Sequence, residues 1–179
     1  RAGGGMGHGK NTDHMLQEGL EDAETGLAMG VLAQDMADKK GYSREQQDAY
    51  AIQSLNKAVV AVKEGHFQAE IVPVTVSSRK GDVIVEQDEQ PLNAKADKIP
   101  TLRPAFKKDG TITAANASSI SDGASALLVT SDTVAAECGL KPLANVMAYA
   151  SHSQHPSEFT IAPVGAIEKV LQQTGWTAQ

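Results

Sequence analysis

The first third of the chain repeats apolar residues at three- and four-residue steps, which is the period of an amphipathic helix. This pattern predicts a first helix capped by Asn11 or Thr12 and a second helix over Thr25–Lys40. A third helix is predicted to begin at Ser43, because Ser43-Arg-Glu-Gln matches a capping box. Its apolar face runs to Gly65, which we expect to end the helix.

The middle of the chain has a different period. Ile71–Val76 and Val83–Val85 are β-branched runs separated by a polar link that contains glycine, and this arrangement predicts a hairpin. The following stretch, Asp88–Pro104, is polar and holds three prolines. We expect it to be an extended surface loop without helix.

Short apolar runs predict strands in the last third of the chain. Ile112 is assigned to a short strand, Ala126–Thr130 to a buried strand and Leu143–Ala150 to a further strand. Ala162–Leu171 is predicted to be a helix, because a proline stands in its first turn and apolar residues recur along one face.

Composition and charge narrow the classes of function. The 179 residues fit one ordinary domain, or a small domain with pieces of another. The net charge of −6 and the scattered Lys and Arg residues argue against a nucleic-acid surface. No apolar stretch reaches the roughly 20 residues that span a bilayer, and no signal-peptide pattern opens the chain. The expected location is therefore the cytoplasm, without a membrane partner.

The single cysteine excludes an intramolecular disulfide. Cys138 lies in Ser131–Gly139, where the serine can cap a short helix and the glycine can end it. A cysteine in the last turn faces the negative end of the helix dipole, which disfavours a thiolate. We therefore expect Cys138 to be a buried structural residue rather than a nucleophile.

The glycine-rich opening, Gly4–Lys10, has the glycine and lysine spacing of a phosphate-binding loop. Asn11 takes the position of the magnesium-binding serine or threonine, and no apolar strand precedes the loop. Both departures favour a flexible loop over a nucleotide-hydrolysis site at Lys10.

His152 and His155 are close enough in sequence to bind one metal ion together. A catalytic zinc site normally needs three protein ligands, and the sequence has neither a second cysteine nor an HExxH pattern. We prefer a surface turn before Pro156 and predict no metal site. The remaining histidines are isolated and are expected to be solvated: His8, His14 and His66.

The segment Thr111–Thr130 is dense in alanine, serine and glycine. Small side chains let a ligand or another backbone approach closely, and the hydroxyls and the Asn116 amide supply hydrogen-bonding groups at short reach. Close packing of a strand against a helix explains the same composition equally well. The residues by themselves leave these two interpretations open.

Asn116-Ala-Ser-Ser-Ile-Ser-Asp-Gly-Ala124, followed by an apolar run, resembles the thiolase motif at which the chain leaves the coenzyme A-binding loop domain and re-enters the catalytic core. Other segments resemble the thiolase family in the same order along the chain. They are Glu18–Asp22, Met29-Gly30, Ser43–Tyr50, Phe67–Pro73, Leu102–Phe106 and, more loosely, Ile161–Pro163. The resemblance extends over nearly the whole chain and rests on several separate motifs.

The resemblance implies an α/β fold, namely an α+β loop-domain insertion with edge pieces of the thiolase αβαβα core. Residues 1–110 would form the coenzyme A-binding loop domain, 111–142 would end the N-terminal thiolase half, and 143–179 would start the C-terminal half. The chain is expected to be an internal piece of a longer polypeptide. Thiolases are commonly dimers or tetramers, so the resemblance also implies a homodimer or homotetramer for the full-length protein.

The resemblance also implies which residues bind the ligand. By motif position, Leu20 and Met29 resemble apolar walls of the pantetheine channel, while Ala114 and Ser118 resemble the small residue and the hydroxyl that line it. Helical spacing alone would place Leu20 and Met29 in a core instead. Ala28 stands where many family members have histidine, so a polar contact to the ligand is expected to be lost.

Thiolases catalyse a reversible Claisen condensation or thiolysis, in which a cysteine thiolate takes the acyl group. The resemblance places this nucleophile upstream of Arg1 and the remaining catalytic motifs downstream of Gln179, and Cys138 matches neither catalytic cysteine. The chain is thus expected to carry no catalytic residue, to be inactive alone, and to bind acyl-CoA or CoA as substrate without a further cofactor. A non-catalytic coenzyme A-binding or assembly module is the alternative.

Overall fold

A computed structural model describes residues 11–178 of the chain. This part contains α-helices and one antiparallel β-hairpin, together with a π-helical turn at Leu16–Leu20 and two short 3-10 helices at Ala96–Thr101 and Pro156–Glu158. In chain order the longer elements are α1 (Met29–Lys40), α2 (Arg44–Lys63), β1 (Val74–Ser78), β2 (Gly81–Val85), α3 (Glu89–Asn93), α4 (Asp132–Glu137) and α5 (Ala162–Thr174).

The described residues divide into two compact units. One unit comprises 37–118, and the other comprises 11–36 together with 119–178. In the unit 37–118, α2 packs against both α3 and the 3-10 helix Ala96–Thr101, in which Ile99 is buried. In the other unit the buried apolar side chains include Leu32 and Met36 of α1. The boundaries that we predict at residues 110 and 142 stay a prediction.

Helix α1 begins four residues later than the apolar spacing predicts. A turn precedes it, in which the Asp22 carboxylate accepts hydrogen bonds from the Thr25 N–H at 2.9 Å and from the Thr25 hydroxyl at 2.5 Å. Gly26 follows with a φ of 66°, a conformation that glycine adopts without strain. The short polar side chains therefore favour a turn over a further turn of helix.

The capping box of α2 is confirmed. The Ser43 hydroxyl accepts a hydrogen bond from the Gln46 N–H at 3.2 Å, and the Gln46 side chain accepts one from the Ser43 N–H at 2.9 Å. The helix ends at Lys63, and Gly65 follows in the left-handed conformation, as expected. Both ends of α2 are thus set by residues close to them in sequence.

The predicted hairpin is also confirmed, with its strands shifted toward the turn. Strand β1 begins at Val74 rather than Ile71, and Ser78 pairs with Gly81, which leaves a two-residue turn at Arg79-Lys80. The register pairs Val74 with Val85 and Val76 with Val83. Valine side chains from both strands therefore share one face of the hairpin, because alternate residues point to the same side.

Two expectations for the middle and late segments are wrong. Asp88–Pro104 is not an irregular loop, because it contains α3 and the 3-10 helix Ala96–Thr101. Pro91 is the third residue of α3, and a proline is tolerated in a first helical turn, where its missing N–H would have no intrahelical partner. The prolines therefore do not exclude helix here.

The strands predicted at Ile112, Ala126–Thr130 and Leu143–Ala150 do not form within the described residues. Leu128 is 81% exposed, so the run at Ala126–Thr130 is not buried either. Tyr149, in the run Leu143–Ala150, is 86% exposed. A strand needs a ladder of hydrogen bonds to a neighbour, and the one sheet within residues 11–178, formed by β1 and β2, does not include these runs. Apolar sequence alone was insufficient evidence for a strand.

The helices predicted in the last third are confirmed. Ser131 caps α4 by accepting a hydrogen bond from the Val134 N–H at 3.4 Å, and Gly139 follows the helix with a φ of 64°. Helix α5 carries a proline in its first turn and is followed by Gly175 in the left-handed conformation. Local capping signals were therefore reliable for α2, α4 and α5, whereas the cap predicted at Asn11 or Thr12 is wrong, because Asp13 accepts the hydrogen bond from the Leu16 N–H at 3.1 Å.

Candidate functional site

Ala114 and Ser118 lie on one short segment, residues 111–118, and both are exposed. The segment follows a close turn, in which the Ala117 N–H donates to the Thr113 carbonyl at 3.0 Å. Thr113, which directly precedes Ala114, is completely buried. The segment thus presents two small side chains to solvent while Thr113 anchors it in the protein.

The anchor of this segment is the side-chain amide of Asn116. Its Oδ1 accepts a hydrogen bond from the Thr113 N–H at 2.7 Å, and its Nδ2 donates to the Thr111 carbonyl at 3.0 Å. The same Nδ2 also donates to Asp48 Oδ1 at 3.1 Å. The amide therefore closes the segment on itself and ties it to helix α2.

The Asp48 carboxylate joins this segment to two others. Asp48 is only 4% exposed, and its Oδ2 accepts a hydrogen bond from Arg44 Nε at 2.7 Å, one helical turn away on α2. The Nη2 atom of Arg44 donates to the carbonyls of Ile99 and Leu102, at 3.0 and 2.9 Å. One ion pair therefore connects α2, the end of the 3-10 helix and residues 111–118.

A second bond from α2 reaches the same segment. Gln47 Nε2 donates to the Thr111 hydroxyl at 2.7 Å and to the Tyr42 carbonyl at 3.2 Å. Polar side chains of the first turns of α2 therefore hold the segment at Thr111 and at Asn116. Such buried polar networks rigidify a structure when every member has a partner.

Leu20 and Met29 lie in the other unit, and both are partly buried. Leu20 is the last residue of the π-helical turn, and Met29 is the first residue of α1. An isolated antiparallel bridge pairs Glu21 with Ala28, the residues that immediately follow and precede them. Leu20 and Met29 therefore flank this bridge, on the side away from the turn at residues 22–27.

The turn that closes this bridge contains a perturbed carboxyl group. The Asp22 N–H donates to the Leu27 carbonyl at 2.8 Å, and the Gly26 N–H donates to the Asp22 carbonyl at 2.8 Å. The hydrogen bond from the Thr25 hydroxyl, followed by that from the Thr25 N–H, lowers the pKa of the Asp22 carboxyl below its usual value. Ala28 contributes its backbone to the bridge, so its methyl side chain does not disturb the turn.

The structure thus groups the four predicted ligand-binding residues in two pairs: Leu20 with Met29 in one unit, and Ala114 with Ser118 in the other. The polar network of Arg44 and Asp48 had not been predicted. Its signal was present in the sequence, because opposite charges four residues apart share one face of a helix. A solvated pair gives the same signal, so burial could not be inferred from it.

The rival sites lack supporting geometry. His152 and His155 are exposed, and the described residues contain no group of three or more His, Cys, Asp or Glu side chains arranged to hold a metal ion. His14 and His66 are also exposed, where each lies 2.9 Å from a glutamate, Glu18 and Glu64 respectively. The predicted solvation of these two histidines agrees with this arrangement. Lys10 and His8 lie outside the described residues.

Cys138 corrects one expectation. It follows α4 directly, as predicted, yet it is exposed rather than buried. Helix α4 has only six residues, and Ala135 is its buried residue, whereas Cys138 follows at the C-cap. Across the described part of the chain, no helix has the length and apolar character needed to cross a membrane.

Comparison with known proteins decides the family. Residues 1–133, which are most of the chain, match the family model for the thiolase N-terminal domain. The chain belongs to the thiolase family. This thiolase sequence is 46% identical to a probable acetyl-CoA acyltransferase of Staphylococcus aureus (strain COL) over 176 residues, which cover 97% of this chain and 45% of that protein. An acetyl-CoA acetyltransferase of Chromobacterium violaceum is 45% identical over 181 residues, covering 100% of this chain and 46% of that protein.

Solved structures agree with this assignment. The Bacillus anthracis acetyl-CoA acetyltransferase matches 99% of this chain and 45% of its own, with a TM-score of 0.91 and 36% identity. A thiolase from Ascaris suum, solved in complex with coenzyme A, matches 98% of this chain and 45% of its own, with a TM-score of 0.83 and 39% identity. The predicted family and the α/β fold class are confirmed, and the thiolase chain spans about 45% of the length of these relatives.

Proposed function

We propose that this chain supplies coenzyme A-binding residues to an acyl-CoA thiolase. The observation that carries the proposal is the exposed pair Ala114 and Ser118 on a segment that is anchored by the buried Thr113 and hydrogen-bonded through Asn116. The solved thiolase–coenzyme A complex from Ascaris suum, which matches 98% of the chain, supports the choice of ligand.

The chemistry of pantetheine suits this segment. Pantetheine is a narrow chain with two amide groups, so it needs a surface that it can approach closely and a few hydrogen-bonding partners. Ala114 offers a small side chain, and Ser118 offers a hydroxyl that has no hydrogen-bond partner within the described residues. A hydroxyl can donate to or accept from either amide of the ligand.

Leu20 and Met29 are proposed to contact the apolar parts of the same arm. Both are partly buried, and they flank the bridge between Glu21 and Ala28. Apolar walls with few polar groups are typical of sites for small ligands. Because Ala28 has no polar side chain, we propose that this protein lacks the ligand contact that a histidine makes at that position.

For the full-length protein we propose reversible acyl transfer between acyl-CoA and CoA or acetyl-CoA. In this proposal the nucleophilic cysteine and its partners are supplied by the rest of the polypeptide, and the chain alone is inactive. A non-catalytic coenzyme A-binding or assembly module is the second candidate. The position of the only cysteine, exposed after the short helix α4, favours neither a nucleophile nor a proton carrier in this chain.

Isothermal titration of the chain with coenzyme A tests the binding proposal. We expect saturable binding that Ser118→Ala weakens by roughly fivefold to tenfold, because one hydrogen bond is worth about 1 kcal/mol. Ser119→Ala removes the neighbouring hydroxyl and serves as the matched control, with affinity unchanged. Equal effects of the two substitutions would argue against a specific role for Ser118.

Activity of the full-length protein separates the two candidates. A thiolase should cleave acetoacetyl-CoA or a longer 3-ketoacyl-CoA in the presence of CoA, whereas a binding module should bind CoA without turnover. Native mass measurement of the same protein tests the proposed homodimer or homotetramer, and fractionation of cells tests the proposed cytoplasmic location. A full-length protein inert toward all of these substrates would contradict the enzymatic proposal.

A further inference from the structure

The buried carboxylate of Asp48 receives hydrogen bonds from two directions. Arg44 Nε donates to one oxygen at 2.7 Å, and Asn116 Nδ2 donates to the other at 3.1 Å. Arg44 is itself held by the carbonyls of Ile99 and Leu102. Asp48 is therefore set between a cation that is attached to a neighbouring segment and the amide that organises residues 111–118.

The orientation of the Asn116 amide is set by this carboxylate together with the Thr111 carbonyl. A carboxylate only accepts hydrogen bonds, so it selects the NH₂ side of the amide and turns Oδ1 toward the Thr113 N–H. That bond and the bond between the Ala117 N–H and the Thr113 carbonyl define the turn that carries Ala114 and Ser118. The hydrogen bond from Asn116 to Asp48 thus helps to fix the conformation of the exposed segment.

We infer that Asp48 is a positioning residue that holds the Ala114–Ser118 segment in its ligand-binding conformation before coenzyme A arrives. The inference rests on the proposed coenzyme A binding and adds the residue that sets its affinity. A ligand that needs one conformation binds more weakly in proportion to the fraction of molecules that adopt it. Loss of the Asp48 contact therefore weakens binding without removing any group that touches the ligand.

Near-isosteric substitutions can reverse this polarity. Asp48→Asn presents one acceptor where two donors converge, so either Arg44 or Asn116 loses its partner. Asn116→Asp places a second carboxylate against Asp48, and like charges at this distance repel. The double variant Asp48→Asn/Asn116→Asp restores a donor facing an acceptor at the same place, although the Thr111 carbonyl loses its bond.

Two further variants separate positioning from general loss of stability. Arg44→Lys keeps a cation beside Asp48 while losing the bonds to Ile99 and Leu102, so it loosens the unit without breaking the contact to Asn116. Asp38→Asn removes a carboxylate of the same unit that pairs with Lys107 at 2.6 Å on the surface. It is the matched control for loss of one negative charge, and exposed pairs contribute little.

The experiment measures amide hydrogen exchange at Thr113 and Ala117 by NMR, together with coenzyme A affinity by isothermal titration, for the whole 179-residue chain. We expect Asp48→Asn and Asn116→Asp to speed exchange at both amides and to weaken coenzyme A binding at least roughly fivefold. The double variant is expected to recover part of both losses. Asp38→Asn is expected to keep the affinity within about twofold of the parent chain, and Arg44→Lys, which keeps a cation beside Asp48, is expected to lose less affinity than Asp48→Asn.

Three outcomes would overturn the inference. Exchange at Thr113 and Ala117 that is unchanged in Asp48→Asn would show that the carboxylate does not hold the segment. Faster exchange with unchanged affinity would show that binding does not use the held conformation. Equal loss of affinity in Arg44→Lys and Asp48→Asn would assign the effect to general instability. Failure of the parent chain to bind coenzyme A would instead refute the proposed binding, while the exchange data would still show whether Asp48 orders the segment.

Discussion

Residues 111–118 and residues 126–130 are both rich in small or apolar side chains, yet they differ in what holds them. The first segment has its own polar partners, because Asn116 bonds within the segment and to Asp48. The second contains Leu127, Leu128 and Val129, all highly exposed, and forms no strand within the described residues. A segment therefore adopts a defined structure when other residues of the fold hydrogen-bond to it. An apolar pattern alone does not supply such partners.

The largest expected difference in the free energy of unfolding is between substitutions of a buried and of an exposed leucine. Leu32→Ala removes a side chain that is 7% exposed in α1 and should lower the free energy of unfolding by about 3 kcal/mol. Leu128→Ala makes the same chemical change at an exposed position and should change it by less than about 0.5 kcal/mol. Urea unfolding followed by circular dichroism measures both. A large effect at Leu128 would mean that residues 126–130 are buried after all.

A smaller loss of stability is expected when a side chain is added where helix α5 meets the residues before it. A Cβ atom at Gly165 would overlap the His152 imidazole, so Gly165→Ala forces the imidazole or the helix to move. We expect a net loss of about 1.5 kcal/mol in the free energy of unfolding, because the overlap outweighs the gain of about 1 kcal/mol in helix propensity. The double variant Gly165→Ala/His152→Ala should recover most of it, which thermal unfolding can check. No recovery would show that strain elsewhere in α5 is responsible.

The capping box of α2 is expected to make a smaller contribution to the free energy of unfolding. Ser43→Ala removes the acceptor for the Gln46 N–H and should lower the free energy of unfolding by about 1 kcal/mol. Ser54→Ala, in the exposed middle of the same helix, is the control and should be neutral or slightly stabilising, since alanine is the better helix former. If both variants behaved alike in urea unfolding, the cap would not be what starts α2.

The smallest expected effect is a dependence on pH at the turn before α1. Folding lowers the pKa of Asp22, chiefly through the Thr25 hydroxyl. The stabilisation from this group is therefore present above the pKa of the unfolded chain and is lost as the pH falls through the lower pKa of the folded chain. Thr25→Val should raise the Asp22 pKa toward its ordinary value in an NMR titration. A pKa unmoved by this substitution would contradict the assigned cause.

Sequence reasoning succeeded where the determinants of structure are local. Three features depend on residues within a few positions of one another: the cap at Ser43, the left-handed glycines after α2 and α4, and the hairpin around Arg79-Lys80. The same is true of the motifs that carry the thiolase resemblance. These features could be inferred because each is complete within a short stretch of sequence.

The rest depended on contacts between distant residues. Asn116 meets Asp48 across 68 positions of sequence, and Arg44 reaches Ile99 across 55. No periodicity reports such pairings, so the residues of the candidate segment could be named by resemblance while the network beneath them could not. The strands expected at residues 126–130 and 143–150 were wrong for the matching reason, because a ladder partner cannot be read from the strand itself.

The exposed run at residues 126–130 also has a practical consequence for anyone who handles this chain. Ala126-Leu-Leu-Val-Thr130 is uncharged, contains no proline and exposes its three large apolar side chains to water. Short segments of this kind can stack edge to edge between molecules and begin cross-β aggregates. We therefore expect the isolated chain to precipitate in a concentration-dependent manner, and a charged residue in place of Leu128 should keep it in solution at little thermodynamic expense.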